Sequence, residues 1–201
     1  MKIRSIASLA LGVALALPAA ASADNSAKTP AAAPVKLADG DVKVIAHLHH
    51  VNQMEIDLGK AAQNSTSSGV KSFGDTLVKD HGASDQELTT FIKAHKLTAI
   101  PADKAETDAD KADQKDMMAQ VAKVKAMKGP EFDKAFLQMM ATGHDKELAK
   151  IDTALASVVD ADLKVMLTAT KPVLQKHADT ARDLQKTAQA SNEEVKLPST
   201  R

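Results

Sequence analysis

The chain of 201 residues carries 26 basic and 26 acidic side chains, four phenylalanines, and no cysteine, tryptophan or tyrosine. This charge balance gives no electrostatic reason to bind nucleic acid, and so few rings give little to stack on bases or sugars. Without disulfides, stability must come from packing or from a bound ion.

The amino terminus reads as an export signal. Lys2 and Arg4 precede an apolar run from Ile6 to Leu17, broken at Pro18 and followed by Ala21, Ser22 and Ala23. This is the order of a positive region, an apolar region and a small-residue cleavage site. The run is too short to span a bilayer as a stable helix, so the sequence predicts a periplasmic protein with no transmembrane span after cleavage. Removing residues 1–23 leaves 24 basic and 26 acidic residues. Association with the outer membrane and self-association into a homo-oligomer both stay open. Residues 24–39, rich in Ala, Pro, Lys and Ser, read as a flexible leader, and residues 191–201 as a disordered tail.

Between them, in residues 40–190, apolar residues recur at helical spacing. The first predicted helix spans residues 41–63, with the stripe Leu48, Val51, Glu55, Leu58, Ala62. Residues 64–69, all small and polar, suit a tight reversal. The second helix spans residues 70–96, with the stripe Val70, Phe73, Leu77, His81, Ser84, Leu88, Phe91. A third, highly charged segment at residues 103–128 has a weak stripe of Met117, Val121 and Val124, and is expected against the outside of the fold. Gly129 and Pro130 separate it from the next helix. That helix, residues 130–159, has the stripe Phe136, Met140, His144, Leu148, Ile151, Leu155, Val158. Asp160 is placed to cap the last helix, residues 161–190. Its stripe is Leu163, Leu167, Thr170, Leu174, His177, Ala181, Leu184, Ala188, and Pro172 inside it should kink it.

Phe73 stands eight residues before His81, and Phe136 eight before His144, each with an apolar residue (Leu77, Met140) four before the histidine. Two helix pairs related in this way make an antiparallel four-helix bundle with an additional helix in the long connection between helices 2 and 3. The expected fold class is therefore all-α.

Four stripe positions are ionisable: Glu55, His81, His144 and His177. Glu55 lies within roughly 20° of the centre of its apolar face and His177 within roughly 30°. Counted from the turns, the four depths agree to about one helical turn, so all four can approach one layer. A buried carboxylate costs several kcal/mol unless it is paired or neutralised. One Glu and three His make a ligand set for a transition metal, with zinc, manganese or iron as first candidates and copper a lesser one suggested by Met54, Met139, Met140 and Met166. Asp80 and Glu147, flanking their histidines, are candidate orienting groups. His47, at the edge of the core face, is a candidate extra ligand, whereas His49 and His50 are expected in solvent. His95 lies too far along its helix to join the layer.

Two functions compete. One is a metal-binding bundle. The other is a non-enzymatic envelope or interaction protein in which a Glu–His layer fixes helix register. The chain has no phosphate loop, zinc-protease helix or serine elbow, so no catalytic residue is assigned. An enzyme is the weaker reading, and would be a metal-dependent oxidoreductase.

The segments His50–Ala62, Val70–Phe73 and Leu77–His81, followed by Phe132–Phe136, His144-Asp145 and Pro172–His177, resemble an exported bacterial family catalogued as domain of unknown function 4142. The resemblance covers residues 41–190. It implies a ferritin-like fold and an export address but no established activity, and it places the family's recurring Glu and His at Glu55, His81, His144 and His177. Working di-iron ferritins carry Glu-x-x-His on two helices. Here Val78 and Leu174 stand three residues before His81 and His177, and His144-x-x-Glu147 has the reverse order. A carboxylate-bridged di-iron centre is therefore not expected.

Overall fold

The computed structural model describes residues 36–196, with side chains through residue 189. The expected signal, most of the leader and the end of the tail lie outside the described residues. Those described form five α-helices and no strand: α1 Asp39–Ala61, α2 Ser68–Ala94, α3 Asp108–Ala126, α4 Gly129–Ser157 and α5 Ala161–Lys196. A 3-10 turn, Ala62–Asn64, closes α1.

Local chemistry sets the helix ends. Ser67 Oγ accepts the Val70 amide at the start of α2. Thr107 and Asp110 form a reciprocal capping box at the start of α3, satisfying two otherwise orphaned donors. Gly129 takes φ +58° and Pro130 sits in the first turn of α4, where its missing N–H costs nothing. Asp160 Oδ1 accepts the amides of Asp162 and Leu163, both at 2.9 Å, as expected of a cap. α5 continues through Pro172, which lies on the exposed side. There water can satisfy the carbonyl that the ring leaves without a partner. The helix also runs past residue 190, where the tail was expected to begin, to Lys196.

Short connections make α1–α2 and α4–α5 into two hairpins, each packed along its length. α2 meets α5 and α1 meets α4, giving an all-α four-helix arrangement. α3, in the long connection, touches α4 and α1 and buries just Val121 and Val124. Its weak stripe anticipates this outer position. At the α1–α2 crossing a Cβ on Gly74 would stand 2.6 Å from both Gly59 O and Ala62 Cβ. The absence of side chains at Gly59 and Gly74 lets these backbones approach.

The core falls into two apolar clusters. One, around Leu58, Phe73, Leu77, Phe132, Phe136 and Leu137, lies toward the α1–α2 turn. The other, around Ile45, Leu88, Ile92, Ile151, Leu163 and Leu167, lies toward the α4–α5 turn. Between the two lies a layer of buried polar residues from all four bundle helices: Asn52 and Glu55 on α1, His81 on α2, His144 and Glu147 on α4, His177 on α5. The repeat-related residues meet in space. The rings of Phe73 and Phe136 are 6.0 Å apart, and those of His81 and His144 5.6 Å.

Candidate metal centre

Each ionisable stripe residue reaches the interior because an apolar core residue stands one turn away on its helix: Leu58 for Glu55, Leu77 for His81, Met140 for His144 and Leu174 for His177. Glu55 and His81 are 4 % exposed, His144 2 % and His177 1 %. The three imidazoles face one another as a triangle. Ring centroids are separated by 5.6 Å (His81–His144), 5.3 Å (His81–His177) and 5.1 Å (His144–His177). One candidate ligand nitrogen from each ring lies within 4.8 Å of the others.

The outward nitrogens fix which atoms face inward. His81 Nδ1 is 2.9 Å from Asn52 Oδ1, while the Asn52 amide donates to Ser84 Oγ. Oδ1 is thus the acceptor, and His81 carries its proton on Nδ1. Its Nε2 is buried with no hydrogen-bond partner. His144 Nδ1 donates to the Met140 carbonyl at 2.8 Å, which leaves Nε2 as a lone pair. His177 Nε2 is 3.0 Å from Asp80 Oδ2. A carboxylate can only accept, so the proton sits on Nε2 and the lone pair on Nδ1. That Nδ1 faces His144 Nε2 at 3.2 Å. Two lone pairs and a third bare nitrogen therefore converge in a low-dielectric layer. Each ring is held from behind by a carbonyl, amide or carboxylate, the arrangement that orients metal-binding imidazoles.

Electrostatics keeps these nitrogens unprotonated. Burial, with the neighbouring histidines adding to it, pushes His81 down to about 3. Burial likewise pushes His144 down to about 4 against the pull of the Met140 carbonyl. His177 is also lowered by burial, with Asp80 opposing.

Glu55 shares a cavity of about 380 Å³ with His81, His144 and Glu147. Burial, reinforced by the charge of Glu147, raises its carboxyl to about 8. Its Oε2 has no hydrogen-bond partner. Glu55 is not among the atoms that converge within 4.8 Å, so it stands beside the triad rather than in it.

The flanking groups divide. Asp80 orients His177, as its place beside the stripe suggests. Glu147 engages no triad imidazole: its carboxylate lies 3.0 Å from His47 Nε2, whose other nitrogen is 3.4 Å from Asp103. Burial lowers the His47 pKa, but the hydrogen bond and charge of Glu147 outweigh it and leave it raised. His47 thus belongs to a separate pair bordering the layer. His49, expected in solvent, is half-buried and bonds Asp85 at 2.5 Å. His95 contacts Asp160 at 3.2 Å, outside the layer. Asn52 went unread in the sequence, although it lies three residues before Glu55 and so faces the same side.

The chain matches the family described as Domain of unknown function (DUF4142) over residues 26–184. It belongs to that family. The match spans all four of Glu55, His81, His144 and His177. Curated proteins and solved structures gave no match. Among the described residues of this DUF4142 protein, no helix is long and apolar enough to cross a membrane.

Proposed function

We propose that this DUF4142 protein is an exported, periplasmic helical bundle that holds one transition-metal ion on His81, His144 and His177. Glu55 and Glu147 lie in the adjoining cavity. The observation that carries the reading is the convergence of three inward lone pairs, each fixed by an outward hydrogen bond. At a metal–nitrogen length of about 2.0–2.1 Å, three imidazoles on one ion place their ring centres about 5.2–5.5 Å apart. The triangle of 5.1–5.6 Å has that size. Export rests on the sequence of residues 1–23.

The alternative is an envelope or interaction protein whose polar layer is structural. One observation favours it: a proton between His144 Nε2 and His177 Nδ1, 3.2 Å apart, would join the rings without an ion. The two readings part on metal content. The first expects about one equivalent of metal after purification without a histidine tag. It also expects a rise in melting temperature on adding the ion to stripped protein, since a ligand at a hundred times its Kd stabilises by about 2.7 kcal/mol. Less than about a tenth of an equivalent, with no shift on adding zinc, manganese, iron or copper, selects the structural reading.

A further inference from the structure

We propose that the ion this site selects is copper in its monovalent state, completed by a methionine thioether from the adjoining cavity. The inference rests on the metal-binding reading above and names the ion.

Four of the chain's eight methionines, Met54, Met117, Met139 and Met140, line the cavity onto which His81 and His144 open. They come from three helices, α1, α3 and α4. Met140 is buried at the inner wall, Met54 and Met139 are half-buried, and Met117 stands half-buried on the outer helix. Methionine commonly fills irregular gaps in cores. Here it is distributed unevenly. The apolar cluster on the far side of the histidine layer is built from Leu, Ile, Val and Phe, with Met166 at its margin. Thioethers gather along the cavity that His81 and His144 also line.

Soft thioether donors favour monovalent copper over zinc, manganese or iron, which take harder oxygen and nitrogen ligands. The charge count agrees. The three imidazoles are neutral donors in a layer at most 4 % exposed. A divalent ion would bring two charges into that layer, and a monovalent ion one. Asp80, behind His177, supplies one compensating carboxylate. The carboxylate of Glu147 is already engaged by His47. Asp113 and Asp116 on α3 and Lys146 and Lys150 on α4 border the same cavity and are all exposed, so the rim charges balance and the preference for the ion rests on the donor set.

The test uses the full chain, tag-free and stripped of metal. Cu(I) is titrated anaerobically against bicinchoninate, and Zn(II) in parallel against a chromophoric chelator. The copper-loaded protein is then measured by X-ray absorption. The proposal expects one Cu(I), bound more tightly than Zn(II), with sulfur as well as nitrogen in its first shell. Among M54L, M117L, M139L and M140L, which conserve side-chain volume, at least one should lose about 10–100-fold in Cu(I) affinity with Zn(II) affinity unchanged. A first shell of nitrogen and oxygen alone overturns it, as does a set of four variants that all bind Cu(I) as the wild type does. Zinc binding without Cu(I) binding overturns this inference and leaves the metal-binding reading standing. Absence of binding by any metal removes both.

Discussion

His144 Nε2 and His177 Nδ1 face each other across 3.2 Å while their opposite nitrogens are committed to the Met140 carbonyl and the Asp80 carboxylate. With both histidines held neutral by burial, this contact brings two lone pairs together. Such a contact is unfavourable unless a cation or a shared proton lies between them. His81 Nε2, buried and without a hydrogen-bond partner, turns the pair into a triad. Apolar clusters flank the layer on either side along the bundle.

Replacing any one of His81, His144 and His177 by glutamine should remove a ligand nitrogen while keeping a polar side chain of similar length. We expect metal affinity to fall by more than about 100-fold, beyond the 10–100-fold typical of losing an orienting group. Competition titration with a chromophoric chelator measures it. A variant that retains wild-type affinity takes that histidine out of the site.

The orienting groups should matter less, and separably. Asp80→Asn keeps the shape at His177 but replaces a carboxylate by a weaker acceptor, and Asn52→Leu leaves His81 Nδ1–H without its acceptor. Both should cost about 10–100-fold in metal affinity. Circular dichroism should remain that of a folded bundle. Nitrogen-15 chemical shifts of His81 in Asn52→Leu would report a loss of tautomer preference.

The metal-free protein should be most stable near pH 6.5. The signs follow from the two kinds of shift. His81 and His144 are lowered from 6.5 to about 3 and about 4. Their neutral state supports folding fully above 6.5, and that support is lost as pH falls through the folded values. Glu55 is raised from 4.5 to about 8. Its contribution is full below 4.5 and declines as pH rises toward 8. His47, also raised, adds to the decline above 6.5. Glu55→Gln should remove the larger part of the alkaline limb and raise stability at pH 8 by roughly 1–3 kcal/mol. Urea denaturation at half-unit pH steps would reveal it. A Glu55→Gln curve parallel to the wild type would mean that Glu55 is ionised in the fold.

Much of this was legible from periodicity. A histidine that replaces a leucine at a 3–4 step has nowhere to point but inward, and so His81, His144 and His177 could be placed on one layer before any coordinates. The same reasoning located Asp80, which sits one residue from His81 yet reaches His177 across the bundle. Rotation angles about separate helices do not determine side-chain reach between helices. For that reason Glu55 shared the predicted layer although it stops in the cavity beside it, and Glu147 was aimed at the triad although it turns to His47. Asn52 was missed because asparagine carries no apolar signal, even though it stands four residues after Leu48 and three before Glu55. Its role emerges only once Ser84 is seen to take its amide protons. α5 runs on through Pro172, as its stripe on both sides of the proline implies.

Gly74→Ala should destabilise the fold without touching the metal chemistry. The added methyl would meet Gly59 O and Ala62 Cβ at 2.6 Å, and one of these is backbone and cannot swing aside. Separating α1 from α2 at this point should cost about 1–3 kcal/mol. The midpoint of chemical denaturation should fall, while the metal stoichiometry of the folded fraction stays at the wild-type value. An unchanged midpoint would show that the two helices can part there freely.

Asp41 offers a last test, of how the two hairpins are joined. It is 1 % exposed, and its two oxygens accept the amides of Val159 at 3.0 Å and Asp160 at 2.9 Å. One side chain from the first turn of α1 thereby closes the α4–α5 connection. Asp160, held in this way, caps α5 through Oδ1 and meets His95, the residue just past α2, through Oδ2. Asp41→Ala removes two part-buried hydrogen bonds from backbone donors and should cost about 1–2 kcal/mol. Asp41→Asn, with one acceptor oxygen, should fall between the variant and the wild type. Because the junction lies at the far end of the second apolar cluster from the histidine layer, metal affinity should hold in both variants. Amide exchange should quicken first at Val159 and Asp160. If protection there is unchanged in Asp41→Ala, the carboxylate does not hold the connection.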